Sequence, residues 1–245
     1  DRFLARRRLR LGDPFQLKGM ERVAARLQQS IAASEPILVF GDSDVDGITA
    51  TAIMYEVLRS LGGQVAVRLS NRIEEGYGLS AAAIEHCRAS GIRLVVLVDC
   101  GTNQPNEIDA LTDYGIETVM IDHHLPLERP AEPSAMLNPH LNDGPGRELC
   151  SAGLAFKVAQ ALLGDTAGRR LGAYLDLAAL GTVADYVPLI HESRTIVAAG
   201  ASRVINTCRP GLARLCEATG TRNADHLSRK LIPRLNAFGR LGDPT

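Results

Sequence analysis

The sequence predicts an α/β fold in which a parallel β-sheet is flanked by helices, followed by a mainly helical segment. Two observations predict it. From residue 36 onward, short apolar runs of strand length alternate with longer helical patterns, and that order calls for crossover connections and a parallel sheet. From Ser151 onward the strand pattern stops and only helical periodicity continues.

The first strand is Pro36-Ile37-Leu38-Val39-Phe40, a continuous apolar run suited to a strand covered on both faces, and it stops at Gly41-Asp42. A helix follows from Gly47 to Leu61, closed by Gly62-Gly63. Val65–Leu69 is the second strand. Leu79–Ala89 is a helix ending at Ser90-Gly91, and Leu94–Val98 is the third strand, ending at Asp99-Cys100-Gly101. Asn106–Tyr114 is a helix closed by Gly115. Thr118–Ile121 is the fourth strand, ending at Asp122, and Ala135–Leu137 is a candidate fifth, ahead of Asn138-Pro139. Residues 125–150 are rich in Pro and Gly and read as a long loop. Ala152–Leu163, Arg169–Val183 and Ser193–Ile205 are the helices of the second half. The division expected is a basic, helical lead-in over residues 1–35, a catalytic domain over 36–190, and a helical extension over 191–245.

Composition narrows the class. The 245 residues are 45% hydrophobic and 22% charged, as in ordinary water-soluble domains, and no apolar run approaches the ~20 residues that span a bilayer. The N-terminus is Arg-rich and carries no secretory apolar stretch, so a cytoplasmic protein without membrane contact is expected. Five Cys in no paired spacing argue against a disulfide framework or a zinc site. Net charge is −1, so charge alone does not announce a nucleic-acid partner. Nearly all the cations are nevertheless Arg; Lys18, Lys157 and Lys230 are the only lysines. Arg2, Arg6, Arg7, Arg8 and Arg10 form a basic run that reads first as a solvated face.

The chemistry lies where the acids fall. Ligands of an open α/β sheet bind beyond the carboxyl ends of its strands. Three expected strands end there in acid: Asp42-Ser43-Asp44-Val45-Asp46-Gly47, Asp99, and Asp122-His123-His124. If the first segment stays extended, Asp42, Asp44 and Asp46 point to one side. Clustered carboxylates repel one another, and a divalent cation removes that repulsion. Carboxylate oxygens suit Mg²⁺ or Mn²⁺, and added imidazole shifts the preference toward Mn²⁺. A calcium loop is excluded, because the position that needs Glu is Ile53. A further acid, Asp185, ends the apolar stretch Leu177–Ala184, where either a metal or a helix-end cap would satisfy it.

The segments D-S-D-V-D-G, D-C-G, D-H-H and G-T-V-A-D resemble, in order, the four motifs of the DHH phosphoesterase superfamily. Within it, Ser70-Asn71-Arg72 with Glu75-Gly76-Tyr77-Gly78, Cys150-Ser151-Ala152-Gly153 and Arg234–Arg240 resemble the RecJ-type exonucleases, which degrade single-stranded DNA from 5′ to 3′. The resemblance covers nearly the whole chain. It implies two-metal hydrolysis of phosphodiesters, with two divalent cations, Mn²⁺ favoured and Mg²⁺ possible. Asp44 and Asp99 would hold one cation, with Asp42 ligating or supporting it. Asp46, Asp99, His123 and Asp185 would hold the other. Asp122 would orient His123, His124 would face the scissile phosphate, and Arg72, Tyr77, Asn236 and Arg240 would touch the nucleic acid. Single-strand-binding protein or a helicase is an implied partner. Tyr77 and Phe238 are candidate stacking residues.

The sequence departs from the family in three places. Phe40 stands where several members carry a metal-binding His, Ser43 replaces an aromatic, and no Gly-Gly-His substrate motif occurs. The chain also opens at Asp1 rather than Met, so a piece of a longer protein with weak activity alone is expected. Two other readings stay open: a phosphodiesterase for short oligonucleotides or cyclic dinucleotides, and a non-catalytic nucleic-acid-binding member of the fold.

Overall fold

The computed structural model describes residues 11–239, apart from the side chains at 165 and 169. The basic run from Arg2 to Arg10, and Arg240, lie outside the described residues. Five strands, β1 (Pro36–Gly41), β2 (Gln64–Leu69), β3 (Leu94–Val98), β4 (Glu117–Ile121) and β5 (Ala135–Leu137), form one sheet in the order β2-β1-β3-β4-β5. Every pairing is parallel. The order reverses between β1 and β3, where sheets of this topology open a crevice at their carboxyl edge.

Alternation along the strands sorts their side chains between two cores. Ile37, Val39, Leu94, Val96, Val98, Val119 and Ile121 join the cluster on one face, shared with α1 (Met20–Ala32), α2 (Val45–Ser60) and α5 (Ser151–Leu163). Leu38, Phe40, Val95, Leu97 and Met120 face the other way, under α3 (Ala81–Ala89) and α4 (Pro105–Asp113). Phe40 is fully buried there. Its ring packs within that core.

The expected single helix over 169–183 is instead divided. A short α6 (Ala167–Leu171), kinked at Gly168, is followed by a 3₁₀ turn at Gly172–Tyr174 and by α7 (Leu175–Ala184). Glycine's low helix propensity places the breaks at Gly168 and Gly172. Beyond α7 come α8 (His191–Ile205), α9 (Pro210–Thr219), a π-helical turn at Leu227–Leu231 and α10 (Ile232–Phe238). Val45, Leu180, Val204, Leu227, Leu231 and Ile232 form a third core that seats these helices on α2 and α7. No helix among the described residues is long and apolar enough to cross a membrane. All five cysteines are free thiols, and Cys208 is exposed while the other four are buried.

Candidate metal centre

Sheet register builds the site. Gly41 pairs with Leu69 on one side and Val98 on the other, Val98 with Ile121, and Ile121 with Leu137. The next residue of each strand therefore falls in one row: Ser70, Asp42, Asp99, Asp122 and Asn138. Backbone bonds continue the ladder through that row, Ser70 N donating to Gly41 O at 2.8 Å, Asp99 N to Ile121 O at 3.1 Å and Asp122 N to Leu137 O at 3.1 Å. All five residues are buried.

Asp44 and Asp46 arrive differently from the extended alternation expected of them. The chain turns into α2 directly after Asp44, which caps that helix by accepting from Gly47 N at 3.1 Å. Asp46 lies in the first helical turn and faces inward, 2% exposed. Gly47 permits the turn, since a Cβ there would stand 2.3 Å from Asp42 O. Asp46 in turn accepts from Ser151 N at 2.8 Å and Ala152 N at 2.9 Å, the first amides of α5, where the helix dipole favours an anion. Gly181 of α7 allows the three helices to meet below it, because a Cβ at that position would lie 2.5 Å from both Thr49 Oγ1 and the Ala152 Cβ.

His123 completes the cluster. Its Nε2 stands 3.4 Å from Asp99 Oδ1, 3.6 Å from Asp185 Oδ2 and 3.7 Å from Asp46 Oδ2. Asp46, His123 and Asp185 make one set of converging ligand atoms, and Asp42, Asp44 and Asp99 make a second beside it. Asp99 is the common member, touching His123 while belonging to the second set. It holds a left-handed backbone conformation (φ 60°), a strain of the kind that gathers at functional sites.

The electrostatics favour a cation. Burial, then Asp46 and Asp44, push the Asp99 carboxyl well above the usual carboxylate range. Burial raises Asp46 against the opposing pull of His123. Burial and Asp46 push Asp185 up to about 6. No Lys or Arg pairs with Asp46, Asp99 or Asp185 among the described residues. Ligand atoms packed about a cation at ~2.1 Å lie roughly 3.0–3.4 Å from one another, close to the 3.4–3.7 Å seen around His123. The residues present therefore fit a divalent cation with mixed oxygen and nitrogen ligands.

The structure reassigns Asp122. Expected to orient His123, its carboxylate instead holds the neighbouring ring: Oδ1 lies 2.7 Å from His124 Nδ1 and also accepts from His123 N at 2.8 Å. Oδ2 accepts from Thr102 N at 3.1 Å. Burial works against the Asp122 charge, but the bonds from His124 and Thr102 outweigh it and hold the carboxyl at about 2. The same bond raises the His124 imidazole above its ordinary value. The His123 ring is left facing the carboxylates, and one residue's difference in strand-end geometry sends the two imidazoles to different partners.

Arg72 and Asp42 also pair with each other. Arg72 Nε donates to Asp42 Oδ1 at 3.0 Å, and its Nη2 bonds to Asp42 Oδ2 and, at 3.2 Å, to Asp44 Oδ2. Ser70 Oγ donates to Asp42 Oδ1 at 2.7 Å. Asp42 is thus satisfied by an internal cation, while Asp44 keeps one edge toward the groove. The Arg72 guanidinium lies 5.5 Å from the Tyr77 ring centroid, so one face of that expected stacking residue is already covered. Tyr77 Oη donates to Asp99 O at 3.2 Å. Asn236 reaches the site from α10, accepting from Val45 N at 3.0 Å.

Three supporting residues carried no predicted role. Ser151 Oγ donates to Asp99 Oδ1 at 3.0 Å. Ser70 anchors Asp42. Asn138 Nδ2 donates to His124 O at 2.9 Å and to Thr102 Oγ1 at 3.0 Å, fixing the loop after β4. The signal for Ser151 was its place at the start of an apolar helix, a ready anion site; for Asn138 it was the strand end before Pro139.

The model of the DHH family, N-terminal domain, matches residues 36–182, which takes in the whole acidic row and all but the last of the converging ligands. The chain belongs to the DHH family. The single-stranded-DNA-specific exonuclease RecJ of Bacillus subtilis is 37% identical over 235 residues, covering 94% of this chain and 29% of that protein. A crystal structure of exonuclease RecJ bound to manganese superposes with a TM-score of 0.84 at 35% identity, covering 93% of this chain and 59% of the other. RecJ of Thermus thermophilus in complex with Mn²⁺ gives 0.80 at 32% identity, over 97% of this chain and 35% of the other. The chain spans less than half the length of the curated relatives it matches, 29% of the Bacillus protein and 43% of the RecJ of Escherichia coli. As a DHH domain, it carries the first three motifs at the carboxyl edge of the parallel sheet and the fourth at the end of α7.

Proposed function

We propose that this chain is the catalytic core of a metal-dependent phosphodiesterase that removes nucleotides from the 5′ end of single-stranded DNA. The observation that carries the reading is the convergence of Asp46, Asp99 and Asp185 on the His123 ring, with no Lys or Arg paired to these three acids among the described residues. Relatives named as single-stranded-DNA-specific exonucleases, and RecJ structures bound to manganese or magnesium, support the choice of substrate and cation.

Asp46, Asp99, His123 and Asp185 would hold one divalent cation, and Asp44 with Asp99 the second, Mn²⁺ being favoured by the imidazole in the set. Two such cations, when bound, supply an activated water and neutralise charge on the phosphate. The chain's own residues do the rest. Asp122 fixes the ring and tautomer of His124 and favours its protonated form, so that His124 offers a proton and a positive charge to a phosphate or leaving oxygen at the rim. Asp42, itself anchored by Ser70, positions the Arg72 guanidinium, whose remaining N–H groups would be left to contact a phosphate. Asn236 carries α10 against the first motif, and Asn236 and Arg240 would touch the nucleic acid. Residues 36–190 would be the catalytic domain, with 1–35 leading into it and 191–245 leading toward a second, substrate-holding domain. A cytoplasmic location, and strand delivery by single-strand-binding protein or a helicase, accord with this role.

The test is digestion of 5′- and 3′-labelled single strands and of a dinucleotide by the chain in excess, with and without Mn²⁺, Asp99→Ala serving as control. Slow release of a 5′-labelled mononucleotide, detectable because the chain is in excess and abolished by the substitution, is expected. Cleavage of the dinucleotide alone would transfer the reading to a short-oligonucleotide phosphodiesterase. Calorimetric titration with Mn²⁺ checks the cation separately, and absence of saturable binding by the wild type overturns the metal site.

A further inference from the structure

Tyr186 follows the last acid of the centre and is unlike its neighbours. It is 82% exposed and sits in the left-handed backbone region (φ 58°), one residue past the C-cap of α7. Glycine is the residue that ends helices there without strain, and an aromatic ring gains nothing from solvent. Neither capping nor core packing accounts for a tyrosine at this position.

The ring lines a cavity of about 290 Å³ with Ser228, Ile232, Pro233, Asn236 and Ala237. Asn236 also lines two smaller cavities, one with Asp44, Asp46 and Asp185, the other with Arg72, Ser43 and Asp44. Asn236 is common to all three, so they adjoin around its side chain, with Arg72 lining one, Asp46 and Asp185 another and Tyr186 the third. The far wall is the π-helical turn at Leu227–Leu231 and the first turns of α10. π-Helical turns recur at functional sites, and here Pro233 lacks the N–H that a continuous α-helix would use. From His226 to Gly239 this wall carries Arg229, Lys230 and Arg234 and no acidic residue. An exposed aromatic ring beside Ile232, Pro233 and Ala237, on a helical wall of net positive charge and next to the acidic cluster, is a combination that suits a single-stranded nucleic acid.

We infer that Tyr186 is the stacking platform for one nucleobase of the bound strand, held in the slot between the end of α7 and α10 on the side of the acidic cluster away from Arg72. The inference rests on the single-stranded-DNA reading and adds a base subsite to it. The sugar-phosphate backbone would run past Arg229 and Arg234 while the base enters between Tyr186 and Pro233. Stacking of this kind tolerates any base.

The experiment compares binding of a labelled dodecathymidylate and of a twelve-unit abasic sugar-phosphate strand by fluorescence anisotropy, in EDTA so that neither strand is cut. The wild type is expected to bind the thymidylate roughly tenfold more tightly. Tyr186→Phe keeps that preference. Tyr186→Ala and Tyr186→Gly lose it while still binding both strands weakly. Tyr186→Gly also raises Tm, because glycine relaxes the positive φ, so lost preference cannot be assigned to unfolding. An unchanged preference in Tyr186→Ala overturns the inference and leaves the DNA reading standing; it is the result expected if Tyr186 instead packs against protein. Failure of the wild type to bind either strand overturns both.

Discussion

Asp185→Asn should stabilise the metal-free protein and destabilise the metal-loaded one. Burial and the charge of Asp46 raise the Asp185 carboxyl from its ordinary 3.8 to about 6. A carboxyl whose pKa is higher in the folded chain binds more protons folded than unfolded, so stability falls as pH rises from about 4 to about 6 and stays low above that. A rise of that size corresponds to ~3 kcal/mol at full value. The Asp185 side chain is 27% exposed, and solvent screening reduces this to about 1–2 kcal/mol. In EDTA at pH 8 the substitution should therefore raise Tm by roughly 2–8 °C, and by nothing at about pH 3.5, where the carboxyl is largely neutral in both states. Adding Mn²⁺ at about a hundred times its dissociation constant should stabilise the wild type by ~2.7 kcal/mol and the variant far less, so the order of the two melting curves reverses. Differential scanning fluorimetry over pH, with EDTA and with Mn²⁺, reads all of these conditions. A variant that melts lower than wild type in EDTA at pH 8 would refute the reasoning, because it would mean that Asp185 is already balanced within the protein.

Three further outcomes follow from the same geometry. Asp122→Asn should lower the His124 pKa, read as a shift of its imidazole resonances by NMR, and reduce nuclease turnover by about a hundredfold without abolishing Mn²⁺ binding, since Asp122 holds His124 and not His123. Gly181→Ala drives a Cβ into Thr49 and Ala152 and to within 2.8 Å of Asp46 Oδ1, and should cost about 2 kcal/mol in urea unfolding while weakening Mn²⁺ binding. Arg209→Ala leaves Asp176 buried without its cation; the guanidinium donates to Asp176 Oδ2 at 3.0 Å and pairs with Glu56 and with Ala173 O. A loss of about 3 kcal/mol in urea unfolding is expected, because removing one partner of a buried pair strands the other charge.

Much of the fold was legible in the residues because its signals are local. Strand-length apolar runs and helix-length patterns follow directly from burial on two faces of a parallel sheet, and the strands observed lie within a residue or two of those expected. The division of the 169–183 stretch was less legible, since its apolar spacing continues across Gly172 without a proline or a polar break to mark the turn. Site residues were legible as acids at strand ends, which is a statement about position along the chain. Their partners were not. Which imidazole Asp122 holds, and that Asp42 is met by Arg72, depend on side-chain directions set by neighbouring strands and loops.

Asp42, Asp99 and Asp122 show where the boundary falls. Read along the chain, these acids end strands, His123 and His124 follow the last of them, and such a set calls for a cation. That they share one row is a property of the folded sheet, because register between parallel strands depends on pairing across the sheet and not on any one strand. Folding also sets how Asp46 joins them, through the first turn of α2 and the amides of α5, and brings Asp185 and Tyr186 to the same groove from a helix more than sixty residues further along. Long-range packing unites those groups, and no local pattern in the chain encodes that distance.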